Sequence, residues 1–211
     1  MIISQVDFLK FIFKNDQQNK LVTVSQIASE FQIKTPSVSQ ALRSMTIKNW
    51  LMWEPRKSIR ITKLGKLEAL KLIRKHRILE CFLFQVMQLN LWQVHEEAER
   101  LEHVVSESLI TKMNDLCGHP KYDPHGHGIP TLDGKFPKAS NFQKLSDIDL
   151  FQNGIVCLID DRQMAPLREL VKKKILLGTK LQKVGKNKFL INGKNILLSA
   201  SLTELIGVES V

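Results

Sequence analysis

Imidazole and carboxylate side chains recur at helical spacing in the segment HEEAERLEH, residues 95–103. At 100° per residue, four of them fall within one arc of about 100° on a helix. These four are His95, Glu99, Glu102 and His103. Nitrogen and oxygen ligands without a thiolate suit Mn²⁺ or Fe²⁺ better than structural zinc. The segment therefore predicts a binding site for such a cation.

A second pair of the same kind lies earlier in the chain, where His76 and Glu80 are four residues apart. On a helix this spacing places both side chains on one face. If the two helices pack antiparallel, this face meets the face that carries residues 95–103. The alternative interpretation is a solvated, glutamate-rich helix face with incidental histidines.

Catalytic motifs give no support for an enzyme. The sequence HEEAE has Glu99 where the HExxH motif of metalloproteases has its second histidine. No GxSxG, Walker or dinucleotide-binding glycine pattern occurs, and no sequence feature suggests an activated cysteine. We therefore expect a binding protein, not an enzyme, and no small-molecule substrate.

Net charge is distributed unevenly over the 211 residues. Residues 1–75 contain 14 Lys and Arg against 5 Asp and Glu. Residues 76–140 contain 6 against 9 and hold all six histidines, and residues 141–211 contain 11 against 7. A basic first third favours a polyanion partner such as nucleic acid, although lysines also serve solubility alone.

The apolar runs are all shorter than the roughly 18 residues that a membrane span needs. The N-terminal segment lacks the basic start of a signal peptide. The three cysteines form no CxxC pair and no disulfide framework. These features predict a cytoplasmic protein with no membrane partner.

The first third shows the periodicity of a helix-turn-helix. Apolar residues at helical spacing predict a helix over residues 2–14. Thr23 and Gln26 form a capping box for a second helix over 25–31. Two short helices joined by a tight turn are typical of this DNA-binding motif.

The third helix follows after a short break, with Thr35 as its N-cap and Pro36 at its first position. Residues 51–54 and 58–62 then predict two short strands around the basic turn Pro-Arg-Lys. A basic hairpin in this place is the wing of a winged helix.

Two long helices, a loop and a small β region complete the predicted elements. Apolar stripes predict helices over residues 63–87 and 91–115, and recurring Gly, Pro and His predict a loop over 118–137. The apolar runs IVCLI, KLQKV, KFLIN and NILLS then predict strands of a small β barrel, interrupted by one helix over 165–174.

The chain resembles the diphtheria toxin repressor family of metal-dependent transcriptional repressors, which includes the manganese transport regulators. Four segments carry the resemblance most specifically: TPSVSQALRSM (35–45), RKHRILE (74–80), HEEAERLEHV (95–104) and HGHGIP (125–130). The tail that begins PLRELVKKK is similar to the SH3-like domain of longer members.

The resemblance implies a mainly α fold with a small β domain. Its three parts are a winged helix-turn-helix DNA-binding domain over 1–73, a helical metal-binding and dimerisation domain over 74–140, and an SH3-like (FeoA-like) β-barrel over 141–211. The boundaries drawn from composition coincide with this scheme.

One metal site implied by the resemblance consists of Asp7, His76, Glu99, Glu102 and His103. Iron-sensing members place a cysteine where this chain has Glu99, so the oxygen ligand favours the manganese-sensing branch. Lys10 stands where two-domain manganese regulators have an acidic residue. That difference argues against their close pair of metals.

The other implied site is similar to that of the three-domain manganese sensors. Its ligands would be Glu80, Asp123, His125 and Asp160. Asp161 is the alternative to Asp160, and those sensors often have a cysteine at the position of Asp123. His95 matches a ligand of the ancillary site in iron sensors and is a lesser candidate.

The DNA contacts implied by the resemblance lie on the third helix and the wing. Pro36 can pack on a thymine methyl group, and Gln40 can hydrogen-bond a base edge. Basic side chains would contact phosphates, which supply affinity and register. The predicted set is Thr35, Pro36, Ser37, Ser39, Gln40, Arg43, Arg56, Lys57 and Arg60.

The function implied is that of a homodimeric repressor that binds a palindromic operator, of metal-uptake genes by resemblance. Mn²⁺, or alternatively Fe²⁺, would select its DNA-binding form, and Zn²⁺ is expected to bind in vitro by the Irving–Williams order. Two alternatives remain open: a winged-helix regulator with a purely structural metal site, and a metal-binding enzyme or buffer.

Overall fold

The computed structural model describes residues 4–138, 141–161 and 163–211. The chain divides into two compact units, Met1–Lys75 with Pro130–Lys135 and His76–Ile129 with Phe136–Val211. Each unit has a hydrophobic core of its own. Within the described ranges, no helix is both long enough and apolar enough to cross a bilayer.

Three helices and a two-stranded hairpin make up most of the first unit. They are α1 (Gln5–Asp16), α2 (Val24–Glu30), α3 (Thr35–Ile47), β1 (Leu51–Met52) and β2 (Arg60–Ile61). The predicted capping box of Thr23 and Gln26 is present at the start of α2. A second box, of Ser4 and Asp7, begins α1. Local hydrogen bonding therefore fixes where these helices start.

The start of α3 differs by one residue from the prediction. Thr35 is the first helical residue, and Lys34 is the N-cap, without a side-chain hydrogen bond. Pro36 lies in the first turn, where its missing N–H breaks no helical hydrogen bond. The buried stripe of α3 consists of Val38, Leu42 and Met45.

The predicted wing is present, with strands of two residues each that pair antiparallel. After it, α4 (Lys63–Gln85) begins in the first unit and ends in the second. Thr62 Oγ1 accepts a hydrogen bond from the Gly65 amide at 3.0 Å, at the start of α4. A Cβ atom at Gly65 would lie 2.1 Å from the Trp50 carbonyl oxygen. Glycine is therefore required where α4 packs beside the wing.

Two helices, α5 (Leu91–Leu101) and α6 (Glu107–Leu116), replace the single helix predicted over 91–115. Ser106 is the N-cap of α6, and its hydroxyl accepts a hydrogen bond from the Leu109 amide at 3.3 Å. A serine in this place ends one helix and begins another because its side chain replaces a backbone acceptor. The prediction of one continuous helix was wrong, and His103 lies in the turn between α5 and α6.

A six-stranded antiparallel sheet forms the β part of the second unit. The strands are β3 (Gln143–Lys144), β4 (Asn153–Ile159), β5 (Lys180–Gly185), β6 (Lys188–Ile191), β7 (Lys194–Leu197) and β8 (Ile206–Ser210), in the order β3-β8-β4-β5-β6-β7. Helix α7 (Met164–Lys172) follows β4 in the chain, and the short α8 (Ala200–Thr203) follows β7. Sequence analysis predicted β4 to β7 and α7, but it missed β3, α8 and β8.

The helical and β parts of the second unit share one core. Ile78 and Leu79 of α4 belong to the same cluster of buried side chains as Leu91 of α5 and Val156 and Ile159 of β4. Apolar packing therefore fixes α4, α5 and β4 against each other, and these are the elements that carry candidate ligands. The three-domain boundaries stay a prediction.

Candidate metal centre and nucleic-acid interface

Glu80 of α4 is an almost completely buried carboxylate, 1% exposed. Its Oε1 atom lies 3.0 Å from His76 Nε2 and 3.0 Å from His95 Nδ1. Burial by itself raises the pKa of Glu80, but His76 and His95 hold that pKa well below its ordinary value. Glu80 is therefore ionised, and the predicted meeting of the two helix faces is confirmed.

His125 lies in the loop between α6 and β3 and is fully buried. Among the described residues, neither of its ring nitrogens has a hydrogen-bond partner. Its Nε2 atom lies 4.0 Å from Glu80 Oε1 and 4.0 Å from Asp161 Oδ2. Ligand atoms that share one ion at about 2.1 Å are roughly 3 to 4 Å apart. The spacing of these three atoms therefore fits a cation between them.

Asp161, rather than the favoured Asp160, is the aspartate whose carboxylate joins this cluster among the described residues. Its Oδ2 atom lies 3.4 Å from His95 Nδ1. Burial raises the pKa of Asp161, but the hydrogen bond from His95 and the charges of the nearby histidines outweigh burial and lower that pKa. The amide of Asp160 donates to the Leu205 carbonyl at 2.8 Å.

A β-bulge explains why the neighbouring aspartate takes this place. The register of β4 against β8 shifts between Val156 and Leu158. The extra residue changes the alternation of the strand, so that Val156 and Ile159 are both buried. Two residues after Ile159, the chain places Asp161 on the same face. If side chains had alternated along the strand from the buried Val156 without a bulge, Asp160 instead of Asp161 would lie on that face.

Asp123, predicted as a ligand, does not join the cluster of described ligand atoms. Its Oδ1 atom accepts hydrogen bonds from the amides of His125 and His127, 2.9 Å each. Its Oδ2 atom lies 3.3 Å from His127 Nδ1 and 3.5 Å from Arg77 Nε, and Arg77 also donates to the Gly128 carbonyl. An aspartate side chain often accepts hydrogen bonds from amides of the residues that follow it, and Asp123 does so within its own loop. Its role as a metal ligand stays a prediction.

The same loop packs closely on β4. The His125 carbonyl accepts a hydrogen bond from the Ile159 amide at 2.8 Å. Gly126 has a φ of +95°, and a Cβ atom there would lie 2.1 Å from the Cys157 carbonyl oxygen. This close approach holds the backbone of His125 in place, so the imidazole position is set by the sheet.

His95, predicted as a lesser candidate, lies at the centre of the site. Its Nδ1 atom contacts Glu80 and Asp161, and its Nε2 atom lies 3.5 Å from Glu99 Oε1. Burial lowers the pKa of His95, but hydrogen bonds to Asp161, Glu80 and Glu99 raise it to about 11. The proton on His95 and a metal ion would therefore compete for the same carboxylates.

Three residues of the other predicted site, His76, Glu102 and His103, lie close together within the second unit. His76 Nδ1 lies 2.6 Å from Glu102 Oε2, and His103 Nε2 lies 3.6 Å from Glu102 Oε1. Asp7 belongs to the first unit, where its carboxylate accepts hydrogen bonds from the amide and hydroxyl of Ser4. A single site formed by this set stays a prediction.

The predicted DNA-contacting residues all lie in the first unit. Those exposed at α3 are Thr35, Pro36, Ser37, Gln40 and Arg43, and those exposed at the wing are Arg56, Lys57 and Arg60. Ser39 is half-buried. Lys57 pairs with Glu54 at 2.7 Å on the surface, where such a pair contributes little. The start of α3 and the wing therefore present polar and basic side chains to solvent.

Comparison with known proteins matches residues 4–59 to the N-terminal DNA binding domain of iron dependent repressors. Residues 62–131 match the metal binding and dimerisation domain of the same repressors. The iron-dependent repressor IdeR of Mycobacterium leprae is 30% identical over 181 residues, which cover 84% of this chain and 77% of that protein. The chain belongs to the iron-dependent repressor family.

Other members of the family differ in how much of their length is matched. The diphtheria toxin repressor of Corynebacterium efficiens is 28% identical over 125 residues, 59% of this chain and 54% of that protein. The chain therefore spans about half the length of that relative.

A solved structure of a manganese-dependent transcriptional repressor in complex with manganese is similar to the whole chain. Its TM-score is 0.83 at 26% identity, with 99% of this chain and 100% of that chain covered. The resemblance stated from the motifs and the predicted fold class are both confirmed: a DNA-binding domain, a helical metal-binding and dimerisation domain, and a C-terminal β domain.

Proposed function

We propose that this protein is a homodimeric transcriptional repressor whose operator-binding form is selected by Mn²⁺, with Fe²⁺ as the alternative metal. The buried His125 imidazole carries the proposal, because it faces Glu80 and Asp161 at 4.0 Å without a hydrogen bond among the described residues. Leaving a buried polar group unpaired costs about 1–3 kcal/mol. A metal ion would satisfy the imidazole and neutralise both carboxylates.

The proposed ligands of this centre are Glu80, His125 and Asp161, with His76 and His95 beside them. All are nitrogen or oxygen donors, which suits Mn²⁺ and Fe²⁺. They come from α4, α5, the loop and the end of β4, so an ion held by them would fix these elements within the second unit. The manganese complex of a structural neighbour supports Mn²⁺ as the metal.

The metal must favour one conformation to control DNA binding. Raising the DNA-binding population from about 1% to 99% needs roughly 5.5 kcal/mol of differential metal affinity. Two sites per subunit would share this requirement, and the second is the set predicted by resemblance: Asp7, His76, Glu99, Glu102 and His103. A dimer of winged helices suits a palindromic operator of double-stranded DNA, and the resemblance indicates metal-uptake genes as targets.

The test is operator binding by the metal-free protein, with the operator first selected from random duplexes in Mn²⁺. Fluorescence anisotropy is then recorded while Mn²⁺, anaerobic Fe²⁺ or Zn²⁺ is added. We expect affinity to rise at least about tenfold with Mn²⁺, within the usual range of coupling energies, and to fall again with a chelator. Sedimentation checks the dimer.

Two outcomes would contradict the proposal. If a chelator leaves operator affinity unchanged while the protein stays folded, the protein is a regulator with a structural metal site. Weak, salt-steep DNA binding without a preferred sequence, together with turnover of a small substrate, indicates an enzyme or buffer. Glu99→Ala tests the second site: undiminished operator binding in Mn²⁺ would remove that set from the mechanism.

A further inference from the structure

One segment of the β part has charge of a single sign. Residues 170–203 contain eight lysines and no Asp, Glu or Arg. The eight are Lys172, Lys173, Lys174, Lys180, Lys183, Lys186, Lys188 and Lys194. The segment runs from the end of α7 through β5, β6 and β7 to α8. Three of the eight lysines lie at the end of α7, and the other five lie on β5, β6 and β7 or in the turn between β5 and β6.

Six of the eight side chains are exposed, and we call them the lysine surface: Lys172, Lys174, Lys180, Lys186, Lys188 and Lys194. The other two are used within the fold, since Lys173 lies 3.6 Å from Glu169 and Lys183 donates to the Ile148 carbonyl at 2.6 Å. In the described part of the chain, no carboxylate lies within ion-pair distance of the six. Their charge is therefore open to an external partner.

Strand pairing spreads these charges over an extended surface. Leu181 and Phe189 are buried, so their neighbours Lys180 and Lys188 lie on the opposite, outer face of β5 and β6. At roughly 3.3 Å per residue, the register places these two lysines about 16 Å apart along the strands. Lys194 begins β7, an edge strand of the sheet. Duplex DNA carries one phosphate charge per roughly 1.7 Å of its axis, so several phosphates fall within this span.

We propose that the lysine surface binds the phosphate backbone of duplex DNA and adds to the contacts of the winged helix. Charge complementarity identifies the occupant, because several exposed lysines without a carboxylate partner fit a regular polyanion. The family to which the chain belongs binds DNA through the domain at residues 4–59. Tethering then gives the lysine surface a high effective concentration beside DNA. Phosphate contacts of this kind supply affinity without sequence preference.

A purely protective role for these lysines makes a different prediction. Lysines at a sheet edge discourage pairing with other chains and keep a protein soluble. In that case, replacing them would lower solubility and leave DNA affinity unchanged. The two roles are therefore separable in one set of measurements.

The test compares two triple variants of the full chain that remove the same charge. One carries Lys180→Gln, Lys188→Gln and Lys194→Gln, and its matched control carries substitutions at exposed lysines elsewhere in the second unit. The control set is Lys112→Gln, Lys121→Gln and Lys138→Gln. Binding to a duplex of scrambled sequence is measured by anisotropy over a series of salt concentrations. Binding to a scrambled duplex does not require a metal to select the DNA-binding form. The result is therefore informative even if the proposed function is wrong.

We expect the slope of log affinity against log salt to fall by about 0.9 for each phosphate that the first variant no longer neutralises. Its affinity at low salt should drop at least threefold, while the control keeps the slope of the unmodified protein. Circular dichroism establishes that both variants are folded. A third triple variant, with Lys172, Lys174 and Lys186 changed to Gln, should show the same fall in slope as the first variant.

Three results would overturn the proposal. The salt slopes of all proteins could be equal, or the slope could fall equally in the variants and the control. The third result is a loss of affinity for another polyanion without a loss of affinity for duplex DNA. The third is checked with single-stranded RNA and with vesicles of anionic phospholipid. If a variant loses binding to the RNA or to the vesicles but keeps duplex binding, the partner of the lysine surface is the one that the variant no longer binds.

Discussion

Charge balance in the second unit depends on single residues. Burial raises the pKa of Glu80 and of Asp161, but imidazoles within 3.0 to 3.4 Å of their oxygens outweigh burial and lower both pKa values. His125 differs from the other imidazoles in that neither ring nitrogen has a partner among the described residues. An unpaired buried group contributes nothing favourable to folding and is therefore best explained by a ligand.

Replacing His125 with leucine should separate metal binding from folding. His125→Leu keeps the site filled with a side chain of similar size, so the metal-free protein should unfold within about 1 kcal/mol of the unmodified one. Affinity for Mn²⁺, measured by calorimetric titration, should fall at least about 100-fold, because one ligand is removed. His119→Leu is the matched control, since His119 is 70% exposed and outside the cluster. Equal Mn²⁺ affinity of the two variants would exclude His125 as a ligand.

The two adjacent aspartates offer a second comparison. Asp161→Asn removes a charge beside His125 and His95, so Mn²⁺ affinity should fall at least about tenfold. Asp160→Asn should change it less than about threefold, in keeping with the modest effect of substitutions away from a site. The same calorimetric titration measures both. If the order of the two effects is reversed, the ligand is Asp160, as the sequence favoured.

At the scale of elements, the loop that carries His125 is positioned by its contact with β4. Gly126 combines a φ of +95° with a Cβ position 2.1 Å from the Cys157 carbonyl oxygen. Asp123 stabilises the same loop from within by accepting two amide hydrogen bonds. The sheet and the loop therefore determine the imidazole position together.

A glycine substitution tests this element directly. Gly126→Ala should lift the loop from β4 and lower Mn²⁺ affinity at least about tenfold, as displaced supporting groups do at metal sites. Gly118→Ala is the control, because Gly118 also has a positive φ, +71°, but a Cβ atom there would have no neighbour within 4 Å among the described residues. It should lower stability by only about 1 kcal/mol through backbone strain and keep its metal affinity. Equal affinities for the two variants would show that the loop contact is not needed.

At the scale of the whole molecule, a metal that binds only the folded state must stabilise it. At a free Mn²⁺ concentration of 100 times the Kd, the free energy of unfolding should rise by about 2.7 kcal/mol per site. Urea unfolding in Mn²⁺ and in chelator measures this difference. Asp161→Asn should show a smaller rise at the same Mn²⁺ concentration. An identical rise in that variant would place the stabilising metal elsewhere.

Local signals predicted most of the first unit. The capping box at Thr23, the proline in the first turn of α3 and the hairpin of β1 and β2 are all encoded within a few residues, so local sequence patterns found them. The break after α5 was missed because Ser106 lies within an otherwise continuous apolar stripe. The short strand β3 and the terminal strand β8 pair across more than 60 residues, and no local pattern marks such a pairing.

By itself the sequence determined the types of candidate ligand, the shared faces of the pairs His76 with Glu80 and His95 with Glu99, and the family, because these depend on residue identity and on spacing along one element. Which aspartate meets His125, and what Asp123 does, depended on the tertiary structure. The bulge in β4 shifts one strand by a residue against its partner, and the loop folds on that strand. The bulge and the loop contact both arise between segments that are distant in the sequence. Such contacts can move a residue to the other face of a strand without any change in the residue itself.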